Sequence, residues 1–245
     1  MEYKINIVNK CNKKIKNMLI NKWKLKNQKH TKYSLIIQPD CHLELKNNLE
    51  PKFKNIYINL NYKKVQFYRN NKNLKIAKAI GIKKNKKLIV LDATAGLGKD
   101  SFIFFSLGCK VFMIERNPVL AALLNDGLER GYKDKKIGNL LKKNIKLIHT
   151  SKITTLLLEK IKPDVVYLDP MFPKIKKTSL SKKNIRIIRD LVGNDNDSDI
   201  LFQKFQSLMI KKIVVKRPRY ANHLGNKIPK HIIKTKKHRF DIYKN

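Results

Sequence analysis

The sequence predicts a doubly wound, Rossmann-like α/β sheet over residues 81–245, preceded by a small, mostly β N-terminal region over residues 1–80. Three observations predict it. From Lys86 onward, short apolar runs alternate with helix-like segments, which implies parallel strands joined by right-handed crossovers. The first of these strands runs into a paired-glycine turn, Gly96-Leu97-Gly98, and a helix follows. Before Gly81 there is no glycine at all, only short alternating pieces between Asn/Lys-rich turns.

Taken in order, residues 33–37 and 56–60 read as strands of the N-terminal region. Residues 88–93 are a strand and 100–107 a helix; 110–114 are the second strand of the sheet. Residues 118–130 are a helix, with Asn117 as N-cap and Pro118 at the first helical position, where its missing N–H is not needed. Strand 145–149, helix 152–160 and strand 164–168 follow. Helix 198–210 and strand 212–216 come next, and strands near 230–235 and 238–243 close the sheet. Ligands of such sheets bind at the carboxyl ends of the strands.

Composition sets outer bounds. A chain of 245 residues with 42% hydrophobic content can bury a real core. No apolar run approaches the ~18 residues of a membrane helix. The N-terminus, MEYKINIVNK, lacks the apolar segment and small-residue cleavage site of a secretion signal. Cys11, Cys41 and Cys109 form no C-x-x-C pair, which argues against a zinc site and against a disulfide framework. A cytoplasmic protein without metal, and a monomer by default, is the expectation. The formal charge is +38, from 56 Lys and Arg against 18 Asp and Glu, and points to a polyanionic partner, most simply nucleic acid. Lys, Asn and Ile share A/T-rich codons, so compositional drift explains part of the excess. Only eight residues are arginine, the better nucleic-acid reader by geometry.

Two strand ends carry the chemistry. In "LDATAGLGKD" a strand ends in Asp92, Gly96 and Gly98 permit a tight turn, and a helix N-terminus offers free N–H groups. The second strand ends in Glu115, 23 residues after Asp92, where an acid can accept both hydroxyls of a ribose. A dinucleotide loop would want a third glycine where Ser101 stands and would disfavour Asp100 near a pyrophosphate, and no Walker loop is present. A nucleoside bearing positive charge fits better, and S-adenosylmethionine is that molecule. In "YLDPMFPK" the fourth strand of the sheet, expected beside the first, ends in Asp169. An exocyclic amino group on a base is a poor nucleophile because its lone pair is delocalised. Hydrogen bonds accepted by Asp169 and the Pro170 carbonyl would favour its pyramidal form. Phe172 could stack on the base and hold it in line with the donor methyl. Such a displacement needs neither a metal nor a covalent intermediate. Local chemistry alone stops at some planar amino group.

The stretches "DATAGLGKD", "IERNPVLAALLNDGLERGY", "YLDPMFP", "VVKRP" and "HRFDIY" resemble the bacterial 16S ribosomal RNA (guanine-1516-N2)-methyltransferase family, closely from about residue 75 to 245 and more weakly through "HLELKNNLEPK" upstream. The resemblance implies a class I methyltransferase fold, S-adenosylmethionine as cofactor, and methyl transfer to a guanine amino group in small-subunit rRNA, free or within the 30S particle. It also implies cofactor contacts at Lys99, Asp100, Glu115, Arg116, Ser151, Lys152 and Asp169. Lys99 stands where the family usually has Arg, and Lys152 where it has a small polar residue, so Lys152 would contribute through its backbone N–H. The segment "NLNYKKVQFYRNNKNL", Asn59 through Leu74, lacks the family's Gly-rich basic loop. Lys216, Arg217 and Arg219 are candidates for RNA phosphate contacts. The competing readings are methylation of another planar amino group, such as adenine N6 or a glutamine amide, and a non-catalytic RNA-binding remnant.

Overall fold

The computed structural model describes residues 2–71, 74–83, 86–171, 183–193, 197–208 and 210–244, with only the backbone of 183–185. Phe172 and the rest of the turn through Lys174 lie outside the described residues.

The N-terminal region contains β1 (Tyr3–Asn9), α1 (Lys13–Trp23), β2 (Leu25–Asn27), β3 (Tyr33–Ile37), β4 (Leu43–Asn47), α2 (Tyr62–Asn70) and α3 (Lys75–Ile80). Its sheet has the order β2-β1-β3-β4; β1 is parallel to both β2 and β3, and β3 and β4 are antiparallel. The expectation of a mostly β region is corrected, since three helices accompany the sheet. Two of them begin on side-chain caps: Asn12 accepts from the Ile15 N–H at 2.9 Å and Asn61 from the Lys64 N–H at 3.0 Å. Residues 56–60 are also not a strand. Ile56 makes a lone bridge to Leu45, and the segment then packs against a helix of the main sheet.

The main sheet is built from β5 (Ile89–Asp92), α4 (Lys99–Ser106), β6 (Lys110–Glu115), α5 (Pro118–Gly131), α6 (Gly138–Asn144), β7 (Ile145–His149), α7 (Thr155–Ile161), β8 (Val165–Leu168), α8 (Lys183–Val192), α9 (Ser198–Ser207), β9 (Lys212–Pro218), β10 (His231–Lys234) and β11 (His238–Lys244). Its order is β10-β11-β9-β8-β5-β6-β7, parallel from β7 to β9 and antiparallel at β11 and β10. The predicted strands and their alternation with helices are observed, with α6 and α8 as helices that were not predicted, and β8 lies beside β5 with Asp92 opposite Tyr167. α7 starts at Thr155 rather than 152 because the Thr154 hydroxyl caps the Leu157 N–H.

Helices cover both faces. On one face α5 is buried along most of its length and joins Ile5, Leu35, Leu45 and Ile58 of the N-terminal region to Val90 and Val111 in one hydrophobic cluster. On the other, Phe202 and Phe205 of α9 and Leu158 of α7 cover Leu91, Val166 and Val215. α8 ties the two regions together. Asp190 pairs with Lys32 and accepts from the Tyr33 hydroxyl at 3.0 Å, Tyr3 donates to the Leu191 carbonyl at 2.9 Å, and Arg186 meets Glu50 at 3.1 Å.

The cysteine reading is corrected in one respect. Cys11 and Cys41 form a disulfide with Cα atoms 5.5 Å apart, clipping the turn after β1 to the turn before β4. Cys109 is buried, and burial pushes its thiol up to about 12, which makes it unreactive. No helix among the described residues is long and apolar enough to cross a membrane.

Candidate active site

A cleft opens at the carboxyl ends of β5, β6, β7 and β8. Gly96, Glu115, Arg116, Ser151, Asp169 and Pro170 all line it, so the structure brings together the two strand-end motifs that are 75 residues apart in sequence. Ile114, Ile153 and Leu201 supply apolar wall, and Ile188 and Val192 of α8 complete it.

Each wall residue is fixed by local structure. Asp92 is 2% exposed and does not face the cleft. Its carboxylate accepts from the Ser101 hydroxyl at 2.6 Å and the Thr94 N–H at 3.2 Å, which locks the turn onto the first turn of α4. Burial raises its pKa to about 7, partly offset by the Ser101 bond and reinforced by the charges of Asp100 and Asp169. Gly98 sits at φ +69°, and an added Cβ would come 2.7 Å from the Leu124 side chain; it packs the turn onto α5. Gly96, at φ +56°, faces open space. Glu115 is buried, and its two oxygens accept from the Gly96 N–H at 2.8 Å and the Asn117 N–H at 2.7 Å. The same carboxylate thus shapes the glycine turn and borders the cleft. Arg116 pairs with both oxygens of Asp197 at 2.9 and 2.7 Å across the cleft mouth.

Asp169 is positioned from behind, its N–H donating to the Thr94 hydroxyl at 2.6 Å. Lys216 on β9 reaches in and places its ammonium 2.8 Å from carboxylate oxygens of both Asp100 and Asp169. Burial alone would lower the lysine's pKa, but the two carboxylates outweigh it and hold the group above its usual range. The fully buried Tyr167 ring packs on Phe104, and its hydroxyl donates to Asp100 at 2.6 Å.

Several expectations change. Lys216 and Arg217 are not phosphate contacts: the first is drawn onto two carboxylates, and the second is 4% exposed and bonded to the Asn222 carbonyl. Arg219 alone of the three is exposed at the surface. The Lys152 N–H is taken by the Thr150 hydroxyl at 3.0 Å, and the cleft is bordered instead by Thr150, Ser151 and Ile153. Asp100 and Lys99 are not among the residues that line the cleft; Lys99 is exposed at the surface, and Asp100 is bonded to Tyr167 and Lys216. The sequence reading missed Thr94, Tyr167, Asp197 and the α8 wall. Of these Thr94, two residues past Asp92, and Tyr167, two before Asp169, carried a local signal, since both lie in recognised motifs.

The lining tests what the cleft can hold. Glu115, Asp169 and Asp197 border it, and Arg116, the basic side chain among its described lining residues, is engaged by Asp197. That donor set suits a cationic nucleoside and not a pyrophosphate. Gly96 leaves room where a Cβ would otherwise project. Among the described residues no group of three or more His, Cys, Asp or Glu could hold a metal ion.

This sheet order with an acid-lined cleft at β5, β6 and β8 defines an S-adenosylmethionine-dependent methyltransferase of class I. The family profile of SAM-dependent methyltransferases matches residues 18–245. A crystallised SAM-dependent methyltransferase from Neisseria gonorrhoeae aligns over 98% of this chain and 95% of its own, with a TM-score of 0.75 and 29% identity. The ribosomal RNA small subunit methyltransferase J of Buchnera aphidicola subsp. Schizaphis graminum is 47% identical over 97% of this chain and 96% of its own. That of Photorhabdus laumondii is 45% identical over 92% of each. The chain belongs to the ribosomal RNA small subunit methyltransferase J family, and its cofactor is S-adenosylmethionine.

Proposed function

We propose that this protein transfers one methyl group from S-adenosylmethionine to the exocyclic N2 of a guanine in small-subunit ribosomal RNA, position 1516 by the family resemblance. The supporting observation is the placement of Asp169. It ends β8 beside β5, lines the cleft, and has its backbone held by Thr94 and its carboxylate by Lys216.

When bound, S-adenosylmethionine supplies an electrophilic sulfonium methyl whose bond breaks with the electron pair staying on sulfur. Glu115 and the glycine turn would hold the nucleoside, with Ser151 and Ile153 beside the adenine. The Asp169 carboxylate and the Pro170 carbonyl accept hydrogen bonds from the target amino group and direct its lone pair at the methyl. Phe172 is proposed to stack on the base. Asp169 orients the amino group and does not deprotonate it, because the Lys216 ammonium at 2.8 Å stabilises the carboxylate. The amino proton is lost to water after transfer. The same reading places the protein with its RNA in the cytoplasm, as a monomer acting without a metal.

The test is methyl transfer by the purified chain to small-subunit RNA and particles from a strain lacking the modification, with the product nucleoside identified by mass spectrometry. N2-methylguanosine is expected. N6-methyladenosine would overturn the base assignment. Asp169→Ala should lower kcat at least ~100-fold, in line with the loss of an orienting group, while still binding cofactor and folding. Normal turnover by that variant would remove Asp169 from the mechanism.

A further inference from the structure

Two sequence motifs, "VVKRP" and "HRFDIY", contribute more than the catalytic contact of Lys216. Their arginines are buried beneath an exposed loop. Arg239 is 7% exposed and donates to the Arg219 carbonyl at 2.7 Å, the Ala221 carbonyl at 2.7 Å and the Pro218 carbonyl at 3.3 Å. Arg217 donates to the Asn222 carbonyl through Nε at 3.0 Å and also through Nη2. Asp241, fully buried, binds Arg239 at 2.8 Å and His223 at 2.8 Å. Leu224 anchors the far side of the loop in the core, and the Gly225 N–H donates to Asp199 of α9 at 2.6 Å.

Four consecutive-stretch carbonyls, from residues 218, 219, 221 and 222, are thus gripped by two buried guanidinium groups. Burying cations is expensive, and apolar residues could close a merely structural loop at least as well. What the clamp achieves is a rigid presentation of the side chains that point away from it. Among those are Arg219, exposed, and Tyr220, 66% exposed. The loop leaves the carboxyl end of β9, where Lys216 touches Asp169, so Tyr220 follows the catalytic contact by four residues.

We propose that Arg219 and Tyr220 form a preorganised RNA-contacting platform beside the methyl-transfer site, with the Tyr220 ring stacking on a nucleotide neighbouring the target base and Arg219 meeting the phosphate backbone. This rests on the reading of the protein as an rRNA methyltransferase. An exposed aromatic ring held at low conformational entropy is what base stacking requires, and the +38 chain supplies the surrounding attraction for a polyanion. The clamp fixes the backbone from which the exposed ring projects.

The experiment uses the full chain with protein-free small-subunit RNA lacking the modification. Tyr220→Ala should raise the KM for RNA about tenfold, within the range set by loss of one base–aromatic stack, with cofactor affinity by calorimetry and the melting temperature unchanged. Tyr220→Phe should behave as the unaltered protein, because stacking needs the ring and not the hydroxyl. Arg219→Ala should reduce the slope of log affinity against log salt by about one. Arg239→Lys keeps a charge but loses the fork that grips several carbonyls; combined with Tyr220→Ala it should show non-additive losses. An unaltered KM in Tyr220→Ala, or a Phe variant as impaired as the Ala variant, would overturn the platform while leaving the methyltransferase reading intact. If the unaltered protein binds S-adenosylmethionine yet methylates neither this RNA nor the small-subunit particle, the functional reading fails. Filter binding of RNA then decides the platform alone, and equal retention by Tyr220→Ala rejects it.

Discussion

Lys216 holds its ammonium 2.8 Å from both Asp100 and Asp169, and that distance decides its role. Among the described residues, the groups around Asp169 are Asp92 on β5, Asp100 on α4, Tyr167 on β8, Lys216 on β9 and, beyond the lysine, His238 on β11. Lys216 is the cation among them, since burial and the charge of Lys216 both lower the pKa of His238. Replacing it by glutamine keeps a donor but removes the charge. Lys216→Gln should lower kcat, because the Asp169 carboxylate loses the charge-assisted bond that holds it at the catalytic turn. An unaltered kcat would show that Lys216 does not act through Asp169. Asp92 gives a second residue-scale test. Burial raises its folded pKa to about 7, above the value of 3.8 expected when unfolded. Its contribution to stability is therefore complete below pH 3.8 and lost as pH rises through about 7. Asp92→Asn should remove that loss. Relative to the unaltered protein, the variant should gain up to ~4 kcal/mol between pH 4 and pH 8 in urea unfolding, and a constant difference across that range would contradict the assignment. Both residues were visible in the sequence, Asp92 as a ligand contact and Lys216 as a phosphate contact. Their actual partners, Ser101 and two carboxylates on other elements, were not, because no local pattern encodes a side chain's reach across strands.

At the scale of elements, α5 and α8 govern how the cleft is walled. α5 was predicted almost residue for residue, because Asn117 and Pro118 mark its start by local capping chemistry. Its Gly127 has a tertiary reason: an added Cβ would lie 2.5 Å from Ile58 Cγ2. Glycine in a helix interior ordinarily costs ~1 kcal/mol relative to alanine, yet here the close packing outweighs propensity. Gly127→Ala should destabilise by about 1–3 kcal/mol through overpacking, measured by chemical unfolding; a stabilised variant would mean that the Ile58 segment yields freely. α8 had no cue of comparable strength. It is pinned to the N-terminal sheet through Asp190 and lends Ile188 and Val192 to the cleft wall. Tyr33→Phe combined with Asp190→Asn should weaken S-adenosylmethionine binding by up to roughly 5- to 30-fold, the loss of one or two hydrogen bonds worth about 1 kcal/mol each. Unchanged affinity would show that the α8 wall stands without its N-terminal ties.

Over the whole molecule, the two sheets share one hydrophobic cluster, with the N-terminal strands on one side of α5 and β5 and β6 on the other. Trp23 in α1 packs edge-on against His149 of β7, with ring centroids 5.4 Å apart, so the chain's single tryptophan reports on the junction between the two regions. A shared core predicts cooperative unfolding. Tryptophan fluorescence and far-ultraviolet circular dichroism should follow one superimposable urea transition, and two separated transitions would show that residues 1–80 fold as an independent unit.

What the sequence determined by itself were the features written in local chemistry: the strand–helix alternation, the cap of α5, the glycine turn with Asp92 before it and Glu115 after it, and the Asp169-Pro170 strand end. Each rests on residues a few positions apart, where periodicity, capping and backbone freedom act. Tertiary structure alone decided the helices and parallel pairing of the N-terminal region, the Cys11–Cys41 bond, the α8 wall, and the inward turn of Lys216 and Arg217. These depend on which distant elements are brought within a few ångströms. Charge on a sequence has no direction, and only the packed sheet decides whether a lysine meets a phosphate in solvent or two carboxylates at the catalytic turn.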